Sequence, residues 1–282
     1  MVENRPWLTF FSHCVLIISI LFICFPLYLA MVASTQTSAE VLQAPMSLIP
    51  GSHLVDNYWA ALTGQQSYGI SLPVSRMLWV TLVITVIITF GKIAISLLSA
   101  FAIVYFRFPF RKTCFWLIFI TLMLPVEVRI IPTYDVVVNL HMINSYAGFT
   151  IPLIASATAT FLFRQFFITV PDELMEASRM DGSGALTFFK DVLVPLSIPS
   201  IAALFVIQFI YGWNQYLWPL LMATDESMFP LSIGLRQMIG NGDVPVDWNL
   251  VMASVVLMLI PPITVILVMQ RWLVDGLIDT EK

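Results

Sequence analysis

Hydrophobic positions in this chain come in long blocks, not in the three-to-four-residue or two-residue alternation of a water-soluble fold. Residues 136–163 contain no Asp, Glu, Lys or Arg, and neither do residues 192–224. A membrane-crossing helix needs about 20 apolar residues. Six blocks supply that length, at about 12–33, 77–105, 113–134, 146–167, 199–221 and 249–270. The pattern predicts an all-α, polytopic membrane protein with six transmembrane helices in a single domain, 1–282. The first block exceeds the roughly 7–15 apolar residues of a signal peptide, and Glu3 precedes it as well as Arg5, so it reads as a retained anchor. Residues 34–75 are polar and rich in Ser, Gln, Gly and Pro, and read as a long aqueous loop. Pro125 and Pro132, Pro152, and Pro261-Pro262 are expected helix breakers in the third, fourth and sixth blocks.

Composition agrees with this reading. The chain is 59% hydrophobic and 11% charged, whereas soluble domains carry about 25% charged residues. A net charge of −4 gives no electrostatic case for nucleic acid. Cys14, Cys24 and Cys114 lie in or beside apolar runs, and His13, His53 and His141 are far apart, so neither a metal site nor a disulfide framework is expected. The Gly91-Lys92 dipeptide is followed by Ile93 and has Val86 where a P-loop needs glycine. No Ser/His/Asp or Cys/His set stands out. The chain is expected to have no cofactor, no catalytic residues and no ATPase site of its own.

Basic residues orient the spans. With the N-terminus inside, the inner segments hold Arg5, Arg107, Arg111, Lys112, Arg164, Arg179, Lys190, Arg271 and Lys282, and the outer ends hold only Arg76, Arg129 and Arg236. Nine against three places both termini in the cytoplasm.

The same orientation puts the polar segment 169–198 in the cytoplasm. Pro171-Asp172 suits a helix start with acids in its first turn, Asp181-Gly182 ends that helix, and Leu186, Phe188, Phe189, Val192 and Leu193 give a second short helix an apolar face. Within it, Glu176-Ala177-Ser178, three residues, Gly182, nine residues and Val192-Leu193-Val194-Pro195 follow one another. This spacing resembles the EAA loop of permease subunits of binding-protein-dependent ABC importers, with Ser178 for the second alanine and valine at two aliphatic positions. The stretch Trp213-Asn214-Gln215-Tyr216-Leu217-Trp218-Pro219-Leu220 is similar to one in the carbohydrate-type branch of that family, although Tyr211 and Trp218 also read as members of an interfacial aromatic belt. Across the chain, the Phe106-Arg107-Phe108-Pro109 turn and the terminal Glu281-Lys282 resemble most the members that import sn-glycerol 3-phosphate.

The resemblance implies the ABC importer permease fold in a bacterial inner membrane. It also implies a heterodimer with a second permease subunit, two cytoplasmic ATP-binding subunits, a periplasmic substrate-binding protein and a small-molecule substrate. Glu176, Ala177, Ser178, Gly182, Val192, Val194 and Pro195 would then couple the membrane helices to the ATPase. A neutral-sugar permease is the alternative within the class, and a non-transport membrane scaffold the alternative outside it.

Lys92, Glu127, Trp213 and Asn214 are candidates for the translocation path. Lys92 lies roughly 20 Å along its helix from the inner surface that Arg107 marks, too deep to snorkel to water. Burial at the bilayer centre costs about 2.5–3.5 kcal/mol on insertion scales. Lys92 therefore faces the bundle, either as the structural partner of a carbonyl or carboxylate on another helix, or as a point charge that attracts a phosphate. Glu127 and Arg129 are two apart and point to different sides of a regular helix. Asn214 is costly against lipid and should face the bundle or the path. Reporter fusions active only outside the cytoplasm are expected to be active near Gly51 and Gly240 and silent near Gly184; the reverse pattern overturns the orientation.

Overall fold

A computed structural model describes residues 6–64, 72–121, 124, 126–240 and 245–278, and every regular element in them is helical. The main helices are α1 (Pro6–Ala33), α2 (Leu54–Thr63), α3 (Val74–Tyr105), α4 (Arg111–Ile120), α5 (Val126–Asn139), α6 (Tyr146–Leu153), α7 (Ala157–Thr169), α8 (Asp172–Met180), α9 (Ala185–Leu196), α10 (Ile198–Trp213), α11 (Leu217–Met222), α12 (Leu231–Ile239) and α13 (Trp248–Ile278).

Among the described residues, α1, α3 and α13 are each long and apolar enough to cross a membrane. The pairs α6–α7 and α9–α10, bent by 47° and 73°, bring the number to as many as five. Two expected spans differ from the sequence reading. The block at 113–134 is divided into α4 and α5. Pro125 lies between them in the sequence and offers no backbone donor. The block at 199–221 is helical only to Trp213: Asn214 takes the C-cap, its N–H donating to the carbonyls of Gly212 and Ile210, and α11 begins afresh at Leu217. The prolines are uneven as breakers. Pro152 opens the tight turn at the end of α6, but Pro132, Pro261 and Pro262 sit inside unbroken helices, as neighbouring groups in a membrane bundle permit.

The chain forms two compact units, residues 1–76 with 234–260, and 77–233 with 261–282. In the first, nearly all of α1 from Trp7 to Met31 is exposed and apolar, as a lipid-facing helix requires. The segment that follows it in the chain is held by buried amides. Asn57 donates to the carbonyls of Ser34 and Gln36 at 2.9 and 2.8 Å, and accepts from Asn249 at 2.9 Å. Gln36 in turn donates to the carbonyls of Ser47 and Ile49.

In the second unit α3 is the central helix. Thr81, Thr85, Thr89 and Ser96 form a buried polar stripe along it, spaced so that they share one face. Thr81 accepts from the Leu231 N–H at 2.9 Å, and Ser96 donates to the Ser156 carbonyl at 3.3 Å where α6 turns into α7. Small residues let backbones approach closely in membranes. Gly212 of α10 lies against Thr85, and Gly91 against Ile154. One apolar cluster gathers Ile84 and Ile88 with Phe149, Trp218 and Met222, and another gathers Leu97 and Phe101 with Phe163, Phe167, Phe188 and Leu193.

A Cβ at position 212 would stand 3.2 Å from the Thr85 Cα. Gly→Ala in a helix ordinarily stabilises by roughly 0.5–1 kcal/mol. Here Gly212→Ala is expected to give no gain, and Gly212→Leu to cost about 1–3 kcal/mol through overpacking. Unfolding titrations of the full chain in mixed detergent micelles would measure both, and a stabilised Gly212→Leu protein would refute the close approach.

Candidate functional site

Two places bring the candidate residues together. The first is the α8–α9 hairpin. Asp172 and Glu173 occupy the first turn of α8 and Arg179 its last, each matched to the helix dipole. The helix ends in a Schellman motif: the N–H of Gly182 bonds the Arg179 carbonyl and that of Ser183 the Ser178 carbonyl, both at 3.0 Å. Gly182 has φ +75° and nothing within 4 Å of the place a Cβ would take. The four-residue step from Ser178 to Gly182 is thus the geometry of the cap, which needs a left-handed residue at that point.

Leu186 and Met180 are exposed, while α9 buries Phe188 and Leu193. Phe188 packs on Tyr105 at 5.4 Å between ring centroids, and Phe189 on Phe101 at 4.8 Å. Tyr105 donates to the Phe167 carbonyl at 3.3 Å. The end of α3 and the end of α7 therefore grip the second helix of the hairpin. Residues Phe189–Leu193 form a π-helical turn. Val192 and Val194 are half-buried and Pro195 is exposed. Ser197 donates to the Leu193 carbonyl at 2.6 Å where α9 bends into α10. Glu176 and Ala177 are exposed. Glu176 and Ser178 line a cleft of about 980 Å³ that also holds Arg107, Arg111 and Arg179.

The second place is a pair of cavities inside the same unit. Lys92 is 6% exposed, and its Nζ donates to Gln208 Oε1 at 3.1 Å. The ammonium also stands 3.5 Å from the centroid of the Tyr211 ring, a cation–π contact. Gln208 and Tyr211 are three apart on α10 and present one face to α3. A cavity of about 710 Å³ is lined by Lys92, Gln208 and Tyr211 together with Arg129, Thr121 and Ser99. A second, of about 390 Å³, is lined by Asn214, Thr133 and Trp218, and shares Arg129 and Tyr211 with the first. No carboxylate lines either cavity among the described residues.

The other candidates are placed differently. Trp213 is 1% exposed, stacks on Phe209 at 5.7 Å, and lines neither described cavity. Glu127 falls in the first turn of α5, and its side chain lies outside the described residues. The aromatic-belt reading of Trp218 is corrected: it is buried and its indole N–H donates to the Gly148 carbonyl at 3.1 Å. Tyr211 faces Lys92. Lys92 has a neutral amide on another helix as its partner and also lines a cavity. Gln208 and the cavity role of Arg129 were missed. A glutamine in a charge-free apolar run was the available signal for the first. Arg129 reads from the sequence as an outer basic residue that points away from Glu127, with no sign that it lines a cavity.

The chain matches the family described as "binding-protein-dependent transport system inner membrane component" over residues 92–279. It is 56% identical over 285 residues to the sn-glycerol-3-phosphate transport system permease protein UgpE of Yersinia enterocolitica serotype O:8, and 58% identical to the UgpE of Escherichia coli O1:K1. Each alignment covers 100% of both chains. A solved structure of a bacterial ABC transporter involved in the import of the acidic polysaccharide alginate aligns with a TM-score of 0.79 at 22% identity, covering 96% of this chain and 98% of that one, which shows the shared fold.

The cap at Gly182 yields a direct expectation. A left-handed helical residue other than glycine costs about 1–2 kcal/mol, so Gly182→Val should speed amide hydrogen exchange across residues 172–183 by about 5- to 30-fold. Gly182→Asn, which tolerates the conformation, should change it less. Equal exchange in all three proteins would show that the cap does not hold the hairpin.

Proposed function

We infer the function of this chain from the family to which it belongs, the binding-protein-dependent transport system inner membrane components. It is a multi-pass permease of the inner membrane and a transport component of an ABC importer. Its cargo is sn-glycerol 3-phosphate or a related glycerophosphodiester. The observation that carries this substrate is the charge of the cavity: Lys92 and Arg129 line it with no carboxylate among the described lining residues. A neutral sugar needs no cation, and a buried Lys92 without a counter-charge would only add desolvation cost. An organophosphate supplies the missing negative charge and accepts hydrogen bonds from both residues.

The mechanism follows from the two sites. A periplasmic binding protein delivers the cargo to the outer end of the path, formed with a second permease subunit. The phosphate meets Arg129 and then Lys92, where it replaces the Gln208 amide as partner of the ammonium. Asn214 offers a neutral hydrogen-bonding group in the adjoining cavity. ATP is bound and hydrolysed by two cytoplasmic partner subunits, since this chain has no P-loop. Glu176, Ala177, Ser178 and Gly182 form the surface that docks on one of them, and the half-buried Val192 and Val194, with Pro195, join that surface to α10. Both termini lie in the cytoplasm, and residues 1–282 serve as one permease domain in which α4 and α5 together make the remaining crossing.

The test is uptake by cells that carry this importer as their sole route for the substrate. Labelled glycerol 3-phosphate should enter, and excess maltose should not compete. Hydrogen bonds to charged groups contribute about 1.5–3 kcal/mol, so Lys92→Gln is expected to lower uptake by about 10- to 100-fold, with unchanged amounts of assembled complex. Entry of maltose in place of glycerol 3-phosphate would replace this reading with the neutral-sugar one.

A further inference from the structure

A third cavity, of about 450 Å³, has no place in that mechanism. It lies where α4 meets the ends of α3 and α7, and Arg111, Lys112 and Arg164 line it together with Phe115, Trp116 and Ile168. Three cations share this space, and no carboxylate lines it among the described residues. The Arg164 guanidinium lies 4.1 Å from the centroid of the Phe115 ring, and its Nε is buried with no hydrogen-bond partner. Arg111 spends one guanidinium nitrogen on the carbonyls of Val104 and Phe106 at 3.5 and 3.3 Å, which fixes it against the end of α3. A buried guanidinium N–H without a partner is costly to leave unmatched. Three cations around one concavity repel one another unless an anion sits among them.

The surroundings identify the anion's source. Trp116 and Ile168, which line the cavity, are exposed and apolar beside the cations, so the rim continues into a surface suited to acyl chains. Tryptophan prefers the level of lipid headgroups. Basic pockets between membrane helices are where anionic headgroups bind. We propose that the cavity formed by Arg111, Lys112 and Arg164 is a binding site for an anionic phospholipid. The headgroup phosphate sits among the three cations, and the acyl chains run along Trp116 and Ile168. The site is separate from the cargo cavity and does not depend on the identity of the cargo.

The experiment uses the full chain, purified with the subunits that assemble with it, in nanodiscs of phosphatidylcholine with or without phosphatidylglycerol. Native mass spectrometry then counts retained lipid. The wild-type protein should keep phosphatidylglycerol in preference to phosphatidylcholine. Each cation near a headgroup contributes enough for about a fivefold effect on retention. Arg164→Gln and Lys112→Gln should therefore each lower retention of phosphatidylglycerol by about fivefold, and Arg164→Lys should restore part of it. Lys190→Gln, outside the cavity, should leave it unchanged. Should Arg164→Gln fail to assemble, Lys112→Gln on the exposed side of the cavity still decides the matter. Equal retention of both lipids, or no loss in the variants, overturns the proposal. So does full occupancy by inorganic phosphate in lipid-free detergent that added phosphatidylglycerol cannot displace, since that assigns the site to a free anion.

Discussion

The contact on which most of the second unit depends is that between α3 and α10. Gly212 brings the two backbones close at Thr85, and two turns further along α3 the Lys92 ammonium reaches Gln208 and the Tyr211 ring. In hydrocarbon there is no hydrophobic drive to bring helices together, so close packing and polar contacts must do it. The hydroxyls on the same face of α3 extend the effect. Thr81 holds the start of α12, and Ser96 holds the turn between α6 and α7. One helix face thereby sets the positions of elements up to 150 residues away from it in the chain.

The same helix links the two candidate sites. Phe101 and Tyr105 hold Phe188 and Phe189 of the α8–α9 hairpin. They lie on α3 roughly two and a half and three and a half turns beyond Lys92. The hairpin is bonded within itself by the Gly182 cap and bent sharply into α10 at Ser197. A displacement of the hairpin therefore reaches the Lys92–Gln208 contact from both sides, through α3 and through α10. Two packed helices shift as bodies rather than bend, because close-packed interiors transmit strain.

Much of this was legible in the sequence where the signal is local. The apolar blocks located α1, α3 and α13, and the Pro171, Gly182 and Phe188 positions outlined the hairpin, because caps and amphipathic faces depend on neighbours a few residues away. The depth of Lys92 also predicted that it faces the bundle. What could not be read depends on distant partners. Nothing near Trp218 in sequence announces Gly148 as the acceptor for its indole, and nothing near Lys92 announces Gln208. The division at 113–134 and the end of α10 at Trp213 were hidden because hydropathy records that a segment is apolar, not whether its helix is continuous. Arg129 shows the limit of counting charges: it is exposed, as its position near a span end suggests, yet it also lines both cavities.

The choice of an amide as partner for Lys92 has one further effect. A carboxylate would cancel the charge of the ammonium, but Gln208 leaves it whole. An uncancelled charge resists the loss of surrounding water far more than a neutral pair does. Shutting the cavity on water alone would strip that hydration with nothing to replace it, whereas shutting it on a phosphate would not. If Lys92 draws the cargo inward as proposed, the same residue sets a penalty on idle closure, and so on ATP spent without delivery.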